Sequence, residues 1–210
     1  MALSTWTELK AAIADYAVRS DLTTQIPDFI TLAETMFNHG DDAIGFPALR
    51  VREMEDTQTD TPSSGVVTLQ TDFLEMRRVT SKDDPRRLLA YASPEWFDEA
   101  YPTSTAGYPS FYTIIGSSLV IRPVGSSDIE HVYYQKIPAL GAGQASNWLL
   151  AKSPNAYLFG SLYNLYVFTG KADAAGAMLE LTRRACGALV GADKFSRAGS
   201  YSIRAGGPTP

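Results

Sequence analysis

Apolar residues recur at helical spacing near both ends of this chain, and between those ends the spacing gives way to short alternating runs. Trp6, Leu9, Ile13 and Tyr16 share one face of a first helix, and Ile26, Phe29, Ile30, Ala33 and Phe37 share one face of a second. Residues 154–195 carry a second helical pair. This pattern predicts an α+β protein: a four-helix-type body of N- and C-terminal helical hairpins with an inserted antiparallel β-sheet or small β-sandwich. The expected divisions are a helical hairpin over 1–47, a β insertion over 48–140, a helical hairpin over 141–195 and a flexible tail over 196–210. With 210 residues there is enough chain to bury a substantial core.

Local signals place the elements. Thr5-Trp-Thr-Glu8 is a capping box, in which the threonine hydroxyl caps the first turn and Glu8 reaches back. Pro27 stands in the tolerated first turn of the second helix, and Gly40 follows its end. Residues 40–47 read as a loop. Strands are expected at 49–54, 66–69, 73–80, 111–115, 119–122 and 129–134, with a further extended piece over 87–91. Gly116-Ser-Ser118 links two of these as a tight hairpin. Ser93-Pro94 opens a short helix and Ser153-Pro154 a long one. Residues 138–146 form a Gly/Ala linker, and helix resumes at Asn147-Trp148. Gly170 ends the long helix, Asp173 caps the last one, and that helix runs to about Val190.

Composition narrows the class of function. No apolar run approaches the roughly 20 residues that span a bilayer, so no membrane partner is expected. The N-terminus has neither the basic nor the apolar region of a secretory signal. The single cysteine, Cys186, cannot form an internal disulfide, which fits a reducing cytoplasm. A net charge of −5 argues against tight binding to nucleic acid phosphates. The same charge suits a wall past which DNA slides, because mild repulsion prevents sticking.

Catalytic and cofactor motifs are not found. Gly141-Ala-Gly143-Gln-Ala-Ser146 imitates a dinucleotide fingerprint, but serine replaces the third glycine and no βαβ unit surrounds it. His39 and His131 stand far apart with Cys186 elsewhere, so four converging zinc ligands are not available. Asp41-Asp42 and Asp83-Asp84 fall in turn-rich sequence, where carboxylates bond nearby backbone amides. Cys186, between Ala185 and Gly187, reads as a small packed residue. Glu180 and Arg184 form an i,i+4 surface pair. No catalytic residue, cofactor or metal is therefore expected.

Two stretches ask for a partner. The helix from Pro154 is apolar nearly all round, with Tyr157, Phe159, Tyr163, Tyr166 and Phe168 among its residues, so its second face must pack within the body or against another subunit. The segment from 196 onward adds Arg197, Tyr201 and Arg204 to an otherwise acidic chain, a composition that orders on docking.

Four stretches together resemble a tailed-phage head-to-tail adaptor (connector, head completion) protein with a β insertion between helical pairs. They are Arg19 to Leu22 leading to Ile26–Glu34; Gly65–Leu69 leading to Asp72–Arg77; Gly107–Tyr112 followed by Leu119–Pro123; and Tyr133–Leu140 followed by Asn147–Leu150. The resemblance covers roughly residues 5–190 and implies a structural virion protein, not an enzyme. It implies a homo-oligomeric ring of about twelve copies beneath the portal protein, passing genomic DNA through its lumen towards an adjacent tail or nozzle protein. Such a protein is made in the host bacterial cytoplasm and resides at the head-to-tail interface of the virion. On this reading Arg197, Tyr201 and Arg204 dock on the portal, and the aromatic residues of the long helix pack the body or a neighbouring subunit. The alternatives are another tail component, such as a tail-tube terminator or minor tail protein, and a small enzyme acting on a glycan or nucleotide.

Overall fold

A computed structural model describes residues 3–83 and 85–197. Its helices are α1 (Trp6–Ala17), α2 (Ile26–His39), α3 (Pro94–Ala100), α4 (Trp148–Lys152), α5 (Pro154–Phe168) and α6 (Ala172–Arg197). Its strands are β1 (Glu55–Asp60), β2 (Val66–Thr68), β3 (Phe73–Ser81), β4 (Arg87–Leu88), β5 (Ala90–Tyr91), β6 (Phe111–Ile115), β7 (Ser118–Arg122) and β8 (Ile129–Gln135). The chain is thus mixed α+β, with six helices and two four-stranded sheets among the described residues. It divides into two compact units: Met1–Glu53 with Ile137–Pro210, and Met54–Lys136.

The first unit is helical, and α5 is its centre, packing against α1, α2, α4 and α6. That arrangement accounts for the apolar character of α5 on every side: Tyr157, Leu158, Leu162 and Leu165 are all buried. Gly160 sets the α2–α5 separation, since a Cβ there would lie 2.9 Å from Phe37 Cζ and 3.3 Å from Ala33 Cβ. The capping box at α1 is present, with the Glu8 amide donating to Thr5 Oγ1 and the Thr5 amide donating to Glu8 Oε2. Gly40 closes α2 at φ +73°, where a Cβ would meet the Ala48 amide nitrogen at 2.7 Å.

Several boundaries differ from the sequence expectation. Asp173 lies inside the first turn of α6 and does not precede it as a cap. That helix continues to Arg197, seven residues beyond Val190, because alanine and the last-turn Lys194 and Arg197 sustain it past the last apolar repeat. Ser153 precedes α5 without giving it a side-chain cap. Tyr16 does not join the buried face of α1; it is 60% exposed, and Ala12 and Ala17 fill the interior instead.

The second unit holds both sheets, ordered β1-β8-β3-β4 and β2-β7-β6-β5. Leu119 and Ile121 of β7, Val79 of β3 and Ile129 of β8 belong to one buried cluster, so the sheets share a core. The strand expected at 49–54 is instead an extended entry to a 3-10 turn over Arg52–Met54. The strand follows it as Glu55–Asp60, a polar edge segment whose side chains stay half-exposed or exposed and so carry no apolar alternation. Residues 87–91 split at buried Leu89, β4 pairing with β3 and β5 with β6. The β5–β6 pairing is parallel, so the sheets are not wholly antiparallel as expected. The β6–β7 hairpin turns through Gly116, at φ +59°, and Ser117.

Candidate assembly surfaces

The helical unit contains a polar network that no motif announces. Glu34 and Asn38 stand at i,i+4 on the buried face of α2. Glu34 Oε1 accepts from the Leu140 amide at 2.8 Å and from the Tyr157 hydroxyl at 3.0 Å. Asn38 Oδ1 accepts from the Ile137 amide at 3.0 Å. Asn147 caps α4 through its Oδ1, and its Nδ2 donates to Pro138 O and to the Tyr157 hydroxyl, both at 2.7 Å. Burial raises the pKa of the Glu34 carboxyl, and burial with the nearby carboxylate raises that of the Tyr157 phenol. This network holds the chain where it returns to helix, a structural role. The one legible signal was a glutamate and an asparagine inside an apolar stripe.

The aromatic residues of α5 do not make one surface. Tyr157 is fully buried and meets Phe37 edge-on at 5.7 Å. Phe159, Tyr163 and Tyr166 are half-buried, with Lys171 Nζ 5.7 Å from the Tyr166 ring centroid. Phe168 is 62% exposed, its ring 5.5 Å from that of Phe29. Arg197 ends α6 and pairs with Asp193, Nε to Oδ2, at 2.7 Å. Tyr201 and Arg204 lie outside the described residues.

A cleft of about 470 Å³ runs beside the later turns of α6, lined by Phe46, Pro47, Leu49, Cys186 and Val190 together with Arg183 and Lys194. Of its lining residues, Arg183 donates to the Ile44 carbonyl. A separate pocket further along α6 holds the bond from the Arg52 amide to Asp193 and the Lys152–Glu53 pair. Asp41 Oδ1 accepts from the Ala43 amide at 3.0 Å, a turn carboxylate serving nearby backbone as expected. Cys186 is buried, and burial pushes its thiol pKa up to about 12, far from the thiolate a nucleophile needs.

In the β unit, Arg78 and Arg86 share Glu130, and Arg77 pairs with Glu55, on one face of the β1-β8-β3-β4 sheet. Asp83 accepts from the Ser81 and Ser127 hydroxyls, while Asp84 lies outside the described residues. On α3, Trp96 packs against Tyr101 and Phe111 yet stays 43% exposed, beside Glu95, Asp98 and Glu99. His131 is fully buried with neither ring nitrogen hydrogen-bonded, and burial lowers its pKa. Among the described residues no group of three or more His, Cys, Asp or Glu is placed to hold a metal. No described helix is long and apolar enough to cross a membrane.

Buried Glu34, Asn38 and Asn147 of the helical unit bond backbone amides, Asn147 as a helix cap, and apolar and charged side chains are exposed on both units. The chain belongs to the SU10 adaptor protein family, whose model matches residues 4–204, nearly its whole length. This is a phage head-to-tail adaptor family, and the chain is accordingly a phage structural adaptor and a virion component. No curated protein matches the chain significantly.

Proposed function

We propose that this chain forms a ring of about twelve copies beneath the portal, connects capsid to tail, and lets DNA pass without sequence-specific binding. The observation that carries this reading is the family match over residues 4–204, which embraces both units. The net charge of −5 supports it, since a lumen wall must not hold DNA phosphates. The protein contributes no catalysis; its partners are the portal on one side and a tail or nozzle protein on the other.

The segment over 196–210 docks on the portal, with Arg197, Tyr201 and Arg204 as its anchors. Support comes from its composition and from α6, which carries the chain to Arg197 as a helix. Mixing the purified chain with the portal of the same phage, and measuring complex mass by light scattering, tests the adaptor role. A complex in ring stoichiometry is expected, and its absence with both proteins folded points to a tail component instead. Removing residues 196–210 should abolish portal binding while leaving the helical circular-dichroism signal nearly intact. Unchanged binding would sink the docking assignment.

A further inference from the structure

We propose that two surfaces of the helical unit, the end of α1 and the cleft beside α6, are the two halves of a head-to-tail contact between copies of this chain. The inference rests on the ring proposed above and names its contact.

The first observation is a helix built with unexplained glycines. Gly187 and Gly191 lie inside α6, where glycine is less favourable than alanine. A Cβ at either position would meet nothing within 4 Å in the subunit, so no contact inside the chain requires a glycine there. Both glycines line the cleft of about 470 Å³ whose other walls are Phe46, Pro47, Cys186 and Val190. Missing side chains over an apolar floor allow a second molecule to approach the helix backbone closely.

The second observation is a projection without a use in the subunit. Val18 closes α1 in the left-handed region at φ +51°, a strained conformation for a β-branched residue, and it is 86% exposed. Tyr16, two residues earlier, is 60% exposed. Each leaves an apolar side chain exposed near the end of the helix, where Asp15 is also exposed.

Charge selects the occupant. Lys194, in the lining of the cleft, has no acidic partner among the described residues, and Asp15 has no basic one. Among the described residues the cleft therefore carries one unpaired cation, Lys194, in an apolar lining. The α1 end carries exposed apolar side chains with one unpaired carboxylate, Asp15, beside the internal Arg19–Asp21 pair. A second copy of this chain offers that complement. The two surfaces also lie on separate elements: α1 and α6 each pack on α5 without packing substantially on each other. Joining unlike surfaces of identical subunits gives a heterologous contact, the kind that closes into a ring.

The test uses the full-length chain with Gly187→Leu and Gly191→Leu together. Leucine is a better helix former than glycine, and a Cβ at either position has open space, so this variant folds while its side chains extend into the cleft. Self-association is read by sedimentation over a concentration series and, in parallel, as copies bound per portal ring. At least tenfold weaker self-association and incomplete rings are expected. Asp15→Lys and Lys194→Glu should each weaken assembly alone and restore it when combined in one chain. A leucine variant that assembles like the wild type overturns the contact, as does a wild-type chain that stays monomeric in both settings. Portal binding by the wild type with undiminished binding by the leucine variant leaves the adaptor role standing and removes only this contact. Wild-type self-association that the leucines abolish, without any portal binding, upholds the contact and removes the adaptor role.

Discussion

Gly160 and Gly187 are both glycines inside helices, and their surroundings give substitution opposite signs. At Gly160 an added Cβ would stand 2.9 Å from Phe37 Cζ, and Phe37 is fully buried between Phe46 and Tyr157. Gly160→Ala should therefore destabilise by about 1–3 kcal/mol through overpacking. At Gly187 the space is open, and Gly187→Ala should stabilise the monomer by about 0.5–1 kcal/mol. Urea unfolding with unchanged slope checks both, and midpoints that move the same way contradict the packing argument.

His131 gives a second test at this scale. Burial lowers the pKa of its imidazole below the ordinary 6.5, with the Asp60 and Asp56 carboxylates opposing the shift. The unfolded chain then binds a proton at a pH where the folded chain does not. The contribution to stability is complete above about pH 6.5 and is lost as pH falls towards the folded value, by at most about 1.4 kcal/mol per unit. Glu34 acts in the opposite sense: its folded pKa is raised above 4.5, so its contribution is lost as pH rises through the folded value. Comparing wild type with His131→Leu on either side of about pH 6.5 isolates the histidine. The variant should lose less stability on acidification; equal losses would assign the slope to other groups.

Among elements, α4 depends most on one side chain. Asn147 caps it, bonds the Pro138 carbonyl and supports the Tyr157 hydroxyl. Asn147→Ala leaves the Leu150 amide and the Pro138 carbonyl without these partners, and roughly 3 kcal/mol of destabilisation is expected by thermal or denaturant unfolding. Asn147→Asp should recover the cap but not the two donated bonds, and so fall between the two.

Element prediction succeeded where the determinants are local. The capping box at Thr5, the Ser93-Pro94 start of α3 and the Gly116 hairpin each lie within a few residues, so each was legible. β1 was not, because an edge strand of Glu, Asp, Thr and Gln is held by its β8 partner rather than by an apolar face. The split of 87–91 was hidden for the same reason: which sheet a two-residue strand joins is decided by residues far along the chain. The candidate surfaces were less legible still. The aromatic run of α5 predicted a covered helix but not that Tyr157 would be core and Phe168 exposed. The cleft beside α6 unites Phe46 with Val190, a pairing no local pattern encodes.

At the scale of the whole molecule, the charge is unevenly divided. Met54–Lys136 holds twelve acidic and seven basic residues, whereas the helical unit holds eleven of each. The entire net charge of −5 thus belongs to the β unit. Within it, exposed Glu95, Asp98 and Glu99 crowd onto the single short helix α3. A surface that repels phosphate allows DNA to move past without pausing, and the repulsion weakens with salt because screening acts within about 10 Å at 0.1 M. Reversing Glu95, Asp98 and Glu99 to lysine changes the net charge from −5 to +1 and turns α3 into a basic patch. The wild type should leave the anisotropy of a labelled DNA duplex unchanged at low salt. The reversed variant should bind it and release it as salt rises, the signature of counterion release. Salt-dependent binding by the wild type would contradict the proposed passage of DNA past a surface that does not hold it.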